Sequence, residues 1–472
     1  MTEKGGVIRV APKRRPDGIP AEAIAGFLEE LSVQKYRLHG LMIWHRGALR
    51  YADAAEPYTL QTPHRLFSAA KSILVLAALK AMEQGKLRPE DRVVSFFPEI
   101  PADDSLRNMT VEDLLTMRTG QEGDPFGLLF QDFDADLIRA FLSTPAEETP
   151  GTRFRYNNTV PHIICAVVCR AVGMPFPEYM GRYFSEPLEA PITAPTNPQG
   201  IYNPVVTTMS MESFFRYALL FLHGGSAGGR QLLPEAPVRA AMAEHTGTGL
   251  AGNSAGYGWQ IWMNAFGGCR MDGGWGQYAF ILPETDTCVA MLSDMTECGG
   301  AVTAFEQRLL PALRGDGVPE PQGEVQLASL APAGSCVPDA DIPGSAWTFP
   351  DGTVVTVECC PERAVIRMSG ERTREAEIGL NGRFLPGRRC LSHPVFSIDQ
   401  TVYGADAEEM LRSGAWSSPR CLEIRGKSFG EMGEYAARLC FERDRVTAWY
   451  HDTVQHGIAD PLIGRRSEGV RQ

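Results

Sequence analysis

Ser68 and Lys71 stand three residues apart at the front of LFSAAKSILVLAALKAMEQGKL, residues 66–87. A serine hydroxyl is a weak nucleophile. It needs a base within hydrogen-bond reach and donors for the oxyanion that its attack creates. Positions i and i+3 share one face of a helix, so Ser68 and Lys71 point into the same space if a helix starts here. A residue at a helix start also has a backbone N–H without an intrahelical acceptor, and that N–H can serve an oxyanion. A second S-x-x-K, Ser32 to Lys35, lies at the tail of a surface-type helix and reads as a chance match. The next component is FRYNNT, residues 154–159, which holds the only Y-x-N of the chain: Tyr156-Asn157-Asn158. An adjacent ammonium makes a phenol easier to ionise. Beside Lys71, Tyr156 can take the Ser68 proton and return it to a leaving group. Asn158 can hydrogen-bond Lys71 or a substrate carbonyl.

These side chains need elements to hold them. The oily run from Ile73 to Leu79 predicts a core helix from Ser68 to about Gly85. Apolar spacing with acids opposite predicts a helix over 20–35. LHGLMIWHRGALRYADA, 38–54, reads as two strands around a turn at Arg46-Gly47. MTVEDLLTMRTG, 109–120, carries Thr110 as N-cap, Asp113 close to a capping box and Gly120 as stop. Residues 121–135 read as a loop lying over something. Helices are expected at 160–173, 209–225 and 301–315, and strands at 256–264, 276–283 and 287–294. Strands from both ends of this segment can pair in one antiparallel sheet with helices on its faces.

The chain has 472 residues, which suggests two domains. Its net charge of −12 argues against nucleic acid or an anionic membrane as main partner. The first residues contain no apolar signal segment, and the longest apolar run is shorter than a membrane span, so a cytoplasmic protein is expected. Eleven cysteines show no zinc-like spacing; Cys165/Cys169 and Cys359-Cys360 read as reduced thiols rather than as a disulfide framework. Residues 316–345, rich in Pro, Gly, Ala and Ser, read as a linker between a domain 1–315 and a β-rich domain 346–472. The second domain shows no chemistry in its residue spacing.

Ser68-Ala69-Ala70-Lys71, then Tyr156-Asn157-Asn158, then a Gly-rich strand resembles the serine hydrolases of the class C β-lactamase, DD-peptidase and carboxylesterase group. RLFSAAKS, GKLRPEDRVVSFFPE, MTVEDLLTMRTG, PGTRFRYNN, GYGWQIW and GGWGQY are similar too, the last two most to the esterase and 6-aminohexanoate-dimer hydrolase branch. The resemblance spans about residues 20–315. It implies an α/β (α+β) fold, with a β-lactamase-like antiparallel sheet flanked by helices, and a metal-free acyl-enzyme hydrolase without cofactor. It also implies a third motif, K-T-G or H-T-G, whose following residue gives the second oxyanion N–H. His245-Thr246-Gly247 matches the letters. Met271-Asp272-Gly273-Gly274 matches the order along the chain and is preferred, with Gly274 as the donor. The expected catalytic set is Ser68, Lys71, Tyr156, Asn158 and Gly274; Asp272, Trp275, Phe126 and Phe130, with Phe133, are expected to line the pocket. Met271 stands where relatives that take carboxylates put a cation. That favours a small-molecule ester or amide without a carboxylate at that place. Acyl transfer, β-lactamase or DD-peptidase activity, and binding without catalysis are the alternatives.

Overall fold

The computed structural model describes residues 11–466 apart from 35, 131, 133, 195–206, 295–299, 316–322, 370–373, 389–408, 429–434, 453–456 and 459–461. Two compact units are present. The first runs to Leu327 without Ala55–Pro57; the second comprises Ala55–Pro57 and Ala328 onward. The division falls inside the segment read as a linker. Residues 325–327 adhere to the first unit, where Val325 N–H donates to Arg14 O (2.8 Å) and Leu327 N–H to Asp53 Oδ2 (2.8 Å).

The first unit is built on an eight-stranded antiparallel sheet. Its strands are β1 (Arg37–His45), β2 (Ala48–Ala54), β3 (Thr246–Gly247), β4 (Gly256–Tyr257), β5 (Trp262–Met263), β6 (Cys269–Gly273), β7 (Gln277–Leu282) and β8 (Thr287–Asp294). They lie in the order β2-β1-β8-β7-β6-β5-β4-β3. The central strands β7 and β8 are buried at every residue, which is why they read as continuous apolar runs rather than as alternating ones. The expected single strand over 256–264 is instead a tight hairpin. Gln260 adopts φ 56°, Gly258 N–H donates to Ile261 O, and Tyr257 pairs with Trp262.

Of the helices α1 (Ala21–Val33), α2 (Ala69–Glu83), α3 (Val111–Leu115), α4 (Val160–Val172) and α5 (Met211–Leu222), α1, α2 and α5 pack on this sheet, α4 packs on α2, and α3 packs on α4. Every residue of α2 from Ala69 to Leu79 is buried, the burial expected of a helix that is apolar all round. It packs against α4 on one side and β6 on the other. The helix read over 109–120 is a single short piece closed by a full capping box between Thr110 and Asp113. It stops early because Met117 and Gly120 both take positive φ. The helix read over 301–315 is interrupted by a wide turn at Phe305–Leu309 before Pro311, which has no N–H to donate. Residues 121–135 are not wholly loop, since Pro125–Phe130 forms a 3₁₀ helix.

The second unit is a β-barrel. Its strands of three or more residues are β9 (Ala346–Thr348), β10 (Val354–Cys360), β11 (Arg363–Ser369), β12 (Arg374–Gly379), β13 (Leu385–Arg388), β14 (Glu409–Ser418), β15 (Cys421–Ser428), β16 (Tyr435–Phe441), β17 (Arg445–Asp452) and β18 (Leu462–Arg466), and the short Gly457–Ile458 pairs with β17. They run β12-β11-β10-β9-β18-β17-β16-β15-β14-β13, and Gly379 of β12 also pairs with Ser413 of β14, so the ring closes. That single bridge joins the two ends of the strand order, while β13 is paired on one side only. Trp347, Val357, Ile366, Ile378, Trp416, Leu422 and Phe441 fill the interior. Strands β9, β13, β14 and β18 were not anticipated from the sequence; VFSIDQTVYG, residues 395–404, reads as a further strand and lies outside the described residues. The expectation of reduced thiols needs one correction. Cys421 and Cys440 face each other on β15 and β16 and are joined in a disulfide. Sequence spacing does not show that pairing, because the register of two strands creates it.

No single helix among the described residues is long and apolar enough to cross a membrane.

The end of β6 presses on the start of α2. A Cβ on Gly273 would lie 2.3 Å from Leu66 O and 3.0 Å from Ala69 N. Gly273→Ala must therefore push the strand and the helix apart. It is expected to lower stability by about 1–3 kcal/mol in a urea titration, and wild-type stability would contradict this close approach.

Candidate active site

The chain reaches α2 through Phe67, which holds φ 49°, and Ser68 occupies the N-cap position. The bonds of this turn run from Ala69 N–H to Leu66 O, Ala70 N–H to Phe67 O and Lys71 N–H to Ser68 O. None of them uses the N–H of Ser68. One helical turn on, Lys71 Nζ donates to Ser68 Oγ (2.7 Å) and to Asn158 Oδ1 (3.1 Å), and lies 4.9 Å from the centroid of the Tyr156 ring. Lys71 is only 6 % exposed. An ammonium so enclosed needs partners, and a hydroxyl, an amide oxygen and a π face supply them. The structure thus brings together Ser68, Lys71, Tyr156 and Asn158, which are up to 90 residues apart in the chain.

Three further elements position this group. The turn Tyr156–Thr159 leads into α4, and Asn157 Oδ1 accepts from Thr159 N–H (2.9 Å) and Val160 N–H (3.2 Å), taking up free donors at the helix start. The segment 121–130 is tied to the same turn by Asp124. Its carboxylate accepts from Asn158 N–H (2.7 Å), Thr159 N–H (3.2 Å) and the Thr159 hydroxyl (2.7 Å). The β4–β5 hairpin supplies Trp262, which stacks on Tyr156 at 5.8 Å, and Gln260, whose carbonyl accepts from Ser72 Oγ (2.6 Å). Gln260 Nε2 also donates to Leu114 O and Leu115 O. Asp124, Trp262 and Gln260 were missed from the sequence as parts of the site. Trp262 sits in GYGWQIW, but Asp124 carries no local signal.

Gly274 follows β6, and a Cβ there would lie 4.0 Å from Phe67, so this glycine is beside the nucleophile turn. Trp275 holds φ 60° at the tip of the β6–β7 hairpin and packs its ring on Phe67 at 4.7 Å. His245, by contrast, is at the sheet edge, with β4 and β5 between its strand and β6. Its ring stacks on Trp259 and Nε2 donates to Ala240 O (2.9 Å). Phe126 is half-buried on the 3₁₀ helix; the side chains of Phe130 and Phe133 lie outside the described residues.

Met271 is fully buried in the core. Arg270 is 2 % exposed and its guanidinium is occupied. Nε donates to Asp272 Oδ2 (2.9 Å), Nη1 donates to Asn264 Oδ1 (3.0 Å), and the group lies 5.7 Å from the Trp262 ring. Burial raises the Asp272 carboxyl pKa, and Arg270 opposes that rise. Asp272 therefore answers Arg270 rather than standing free toward the site.

Comparisons with known proteins bear on the family and the fold. The family model described as Beta-lactamase matches residues 24–306. Esterase EstB of Burkholderia gladioli is 29% identical over 169 residues, covering 32% of this chain and 43% of that protein. The chain thus spans less than half the length of this curated relative. Among solved structures, a 6-aminohexanoate-dimer hydrolase homologue from Bacillus anthracis aligns with TM-score 0.52 and 18% identity, over 61% of this chain and 81% of that one. The octameric penicillin-binding protein homologue from Pyrococcus abyssi aligns with TM-score 0.51 and 16% identity, over 93% of this chain and 99% of that one. At these identities the structures speak for the fold. The family match covers more than half of the chain, and the protein belongs to the β-lactamase family.

Proposed function

We propose that this protein is a serine hydrolase that cleaves a small-molecule ester or amide through an acyl-enzyme on Ser68. The observation that carries the reading is the buried Lys71 ammonium, 2.7 Å from Ser68 Oγ and beside the Tyr156 ring. Ser68 attacks the carbonyl as its proton passes to Tyr156, which receives it as a phenolate held beside the Lys71 ammonium. The same pair then protonates the leaving group, and later takes a proton from the attacking water. The N–H groups of Ser68 and Gly274 hold the oxyanion, and Asn158 keeps Lys71 in place. Names of relatives such as esterase EstB support hydrolysis of this kind.

The strand beside the nucleophile narrows the substrate. Met271 is apolar and Arg270 is committed to Asp272 and Asn264. Neither offers a free cation to a substrate carboxylate. The reading is therefore a neutral acyl group, an ester before a penicillin or a peptide with a free C-terminus.

Three measurements check this. Mass spectrometry after a fluorophosphonate probe should show one adduct, mapped to the peptide with Ser68 and lost in Ser68→Ala; no adduct on folded wild type would overturn the reading. Neutral p-nitrophenyl esters should exceed nitrocefin in kcat/KM by about 100-fold, the factor that roughly 2.7 kcal/mol of absent carboxylate recognition represents. Equal rates would refute the substrate assignment. Asp124→Ala should slow probe labelling by about 10- to 100-fold, because each stranded donor costs roughly 1–3 kcal/mol, with partial rescue in Asp124→Asn; unchanged labelling would remove Asp124 as a positioning residue.

A further inference from the structure

The tip of the β6–β7 hairpin is three residues long, Gly274-Trp275-Gly276, and it presents three backbone carbonyls. Two side chains take all three. Gln277 Nε2 donates to Gly274 O (3.2 Å), to Trp275 O (3.1 Å) and to Ser293 O (2.7 Å). Ser293 Oγ donates to Gly276 O (2.8 Å) and lies 3.2 Å from Trp275 O. Both side chains are fully buried. A buried amide is costly unless its polar atoms find partners, and those of Gln277 find them on the hairpin tip and on β8. The Ser293 N–H fixes which end of the amide is oxygen. It can only donate, and it donates to Gln277 Oε1 (3.2 Å). Gly276 gives the hydroxyl its access: it holds φ 91°, and a Cβ there would lie 2.1 Å from Ser293 Oγ.

We propose that Gln277, assisted by Ser293, is the positioning residue of the second oxyanion donor and fixes the direction of the Gly274 N–H; this rests on the acyl-enzyme reading given above. A glycine has the most freely turning backbone of any residue. Among the described residues no hydrogen bond uses the Gly274 N–H, so that group is not fixed by a partner of its own. Gln277 instead holds the peptide groups on either side of it. Its backbone pairs with Gly273 in the β6–β7 ladder, and its side chain holds Gly274 O. With both neighbouring peptides held, the Gly274 N–H keeps one direction beside the nucleophile turn. An oxyanion donor is effective to the extent that it is aimed before the charge develops. Ser293 adds to this by holding Gly276 O, so the tip cannot turn over as a unit.

The test compares p-nitrophenyl butyrate with its thiono analogue, which carries C=S in place of C=O, on the full chain as wild type, Gln277→Met and Ser293→Ala. Methionine keeps the length of glutamine and removes both N–H donors. Sulfur is a poor hydrogen-bond acceptor, so the thiono ester draws little on the oxyanion donors, whereas a loss of folded protein slows both esters alike. In Gln277→Met, kcat for the oxygen ester should fall about 10- to 100-fold with KM nearly unchanged, a share of what a lost oxyanion donor costs. The oxygen-to-thiono ratio of kcat/KM should fall about tenfold in Gln277→Met and about threefold in Ser293→Ala, where Gln277 remains. Circular dichroism checks folding, and Ser293→Ala carries the test if Gln277→Met does not fold. A wild-type ratio in either folded variant would overturn the proposal. That outcome leaves Ser68 as nucleophile, because fluorophosphonate labelling of Ser68 is read separately on the same proteins. A wild type that takes no label on Ser68 would instead remove the acyl-enzyme reading, and the positioning role with it.

Discussion

The site depends on one buried charge. Lys71 rises from a helix that is buried at every residue from Ala69 to Leu79, and it is almost enclosed. An ammonium in such surroundings is costly unless its hydrogens find acceptors. Ser68 Oγ and Asn158 Oδ1 are those acceptors, and the Tyr156 ring supplies a face of negative potential. The residues read as chemical partners are thus also the ones that let the charge exist. Each therefore carries both a structural and a chemical duty, and removing one leaves the ammonium less satisfied.

Around this charge the fold concentrates constraint. Phe67 and Trp275 both hold left-handed backbone, which costs roughly 1–2 kcal/mol for a residue with a Cβ, and their rings lie against one another. These two residues flank the expected oxyanion donors, Ser68 and Gly274. Asp124 and Gln260 bind the other sides, one joining segment 121–130 to the Tyr156 turn and the other joining the hairpin to α2 and α3. The nucleophile turn is held from several directions, as a preorganised oxyanion site requires.

The second unit follows a different logic. A closed ring of strands with an apolar interior needs little from its sequence beyond alternation and turns. A covalent Cys421–Cys440 link fastens two neighbouring strands at one register position.

The sequence by itself determined which residue types meet around Lys71. S-x-x-K is written in helical spacing, Y-x-N occurs once, and the glycines of Met271–Gly274 come in the order that a strand beside the nucleophile requires. Those signals are local, or depend only on order along the chain. The long apolar helix and the strands around it were legible for the same reason, since burial on all sides leaves an unbroken apolar run. What only the tertiary structure decided is partnership at long range. Asp124 is one acid among many until the fold places it under the N–H groups of Asn158 and Thr159. Arg270 is one cation among many until Asp272 and Asn264 take its hydrogens. Gln260 breaks an expected strand because its side chain and backbone bond to α3, which no window of sequence contains. Cys421 and Cys440 meet through strand register. Residue type and spacing specify which groups can react, and contacts between distant segments specify which of them are free to do so.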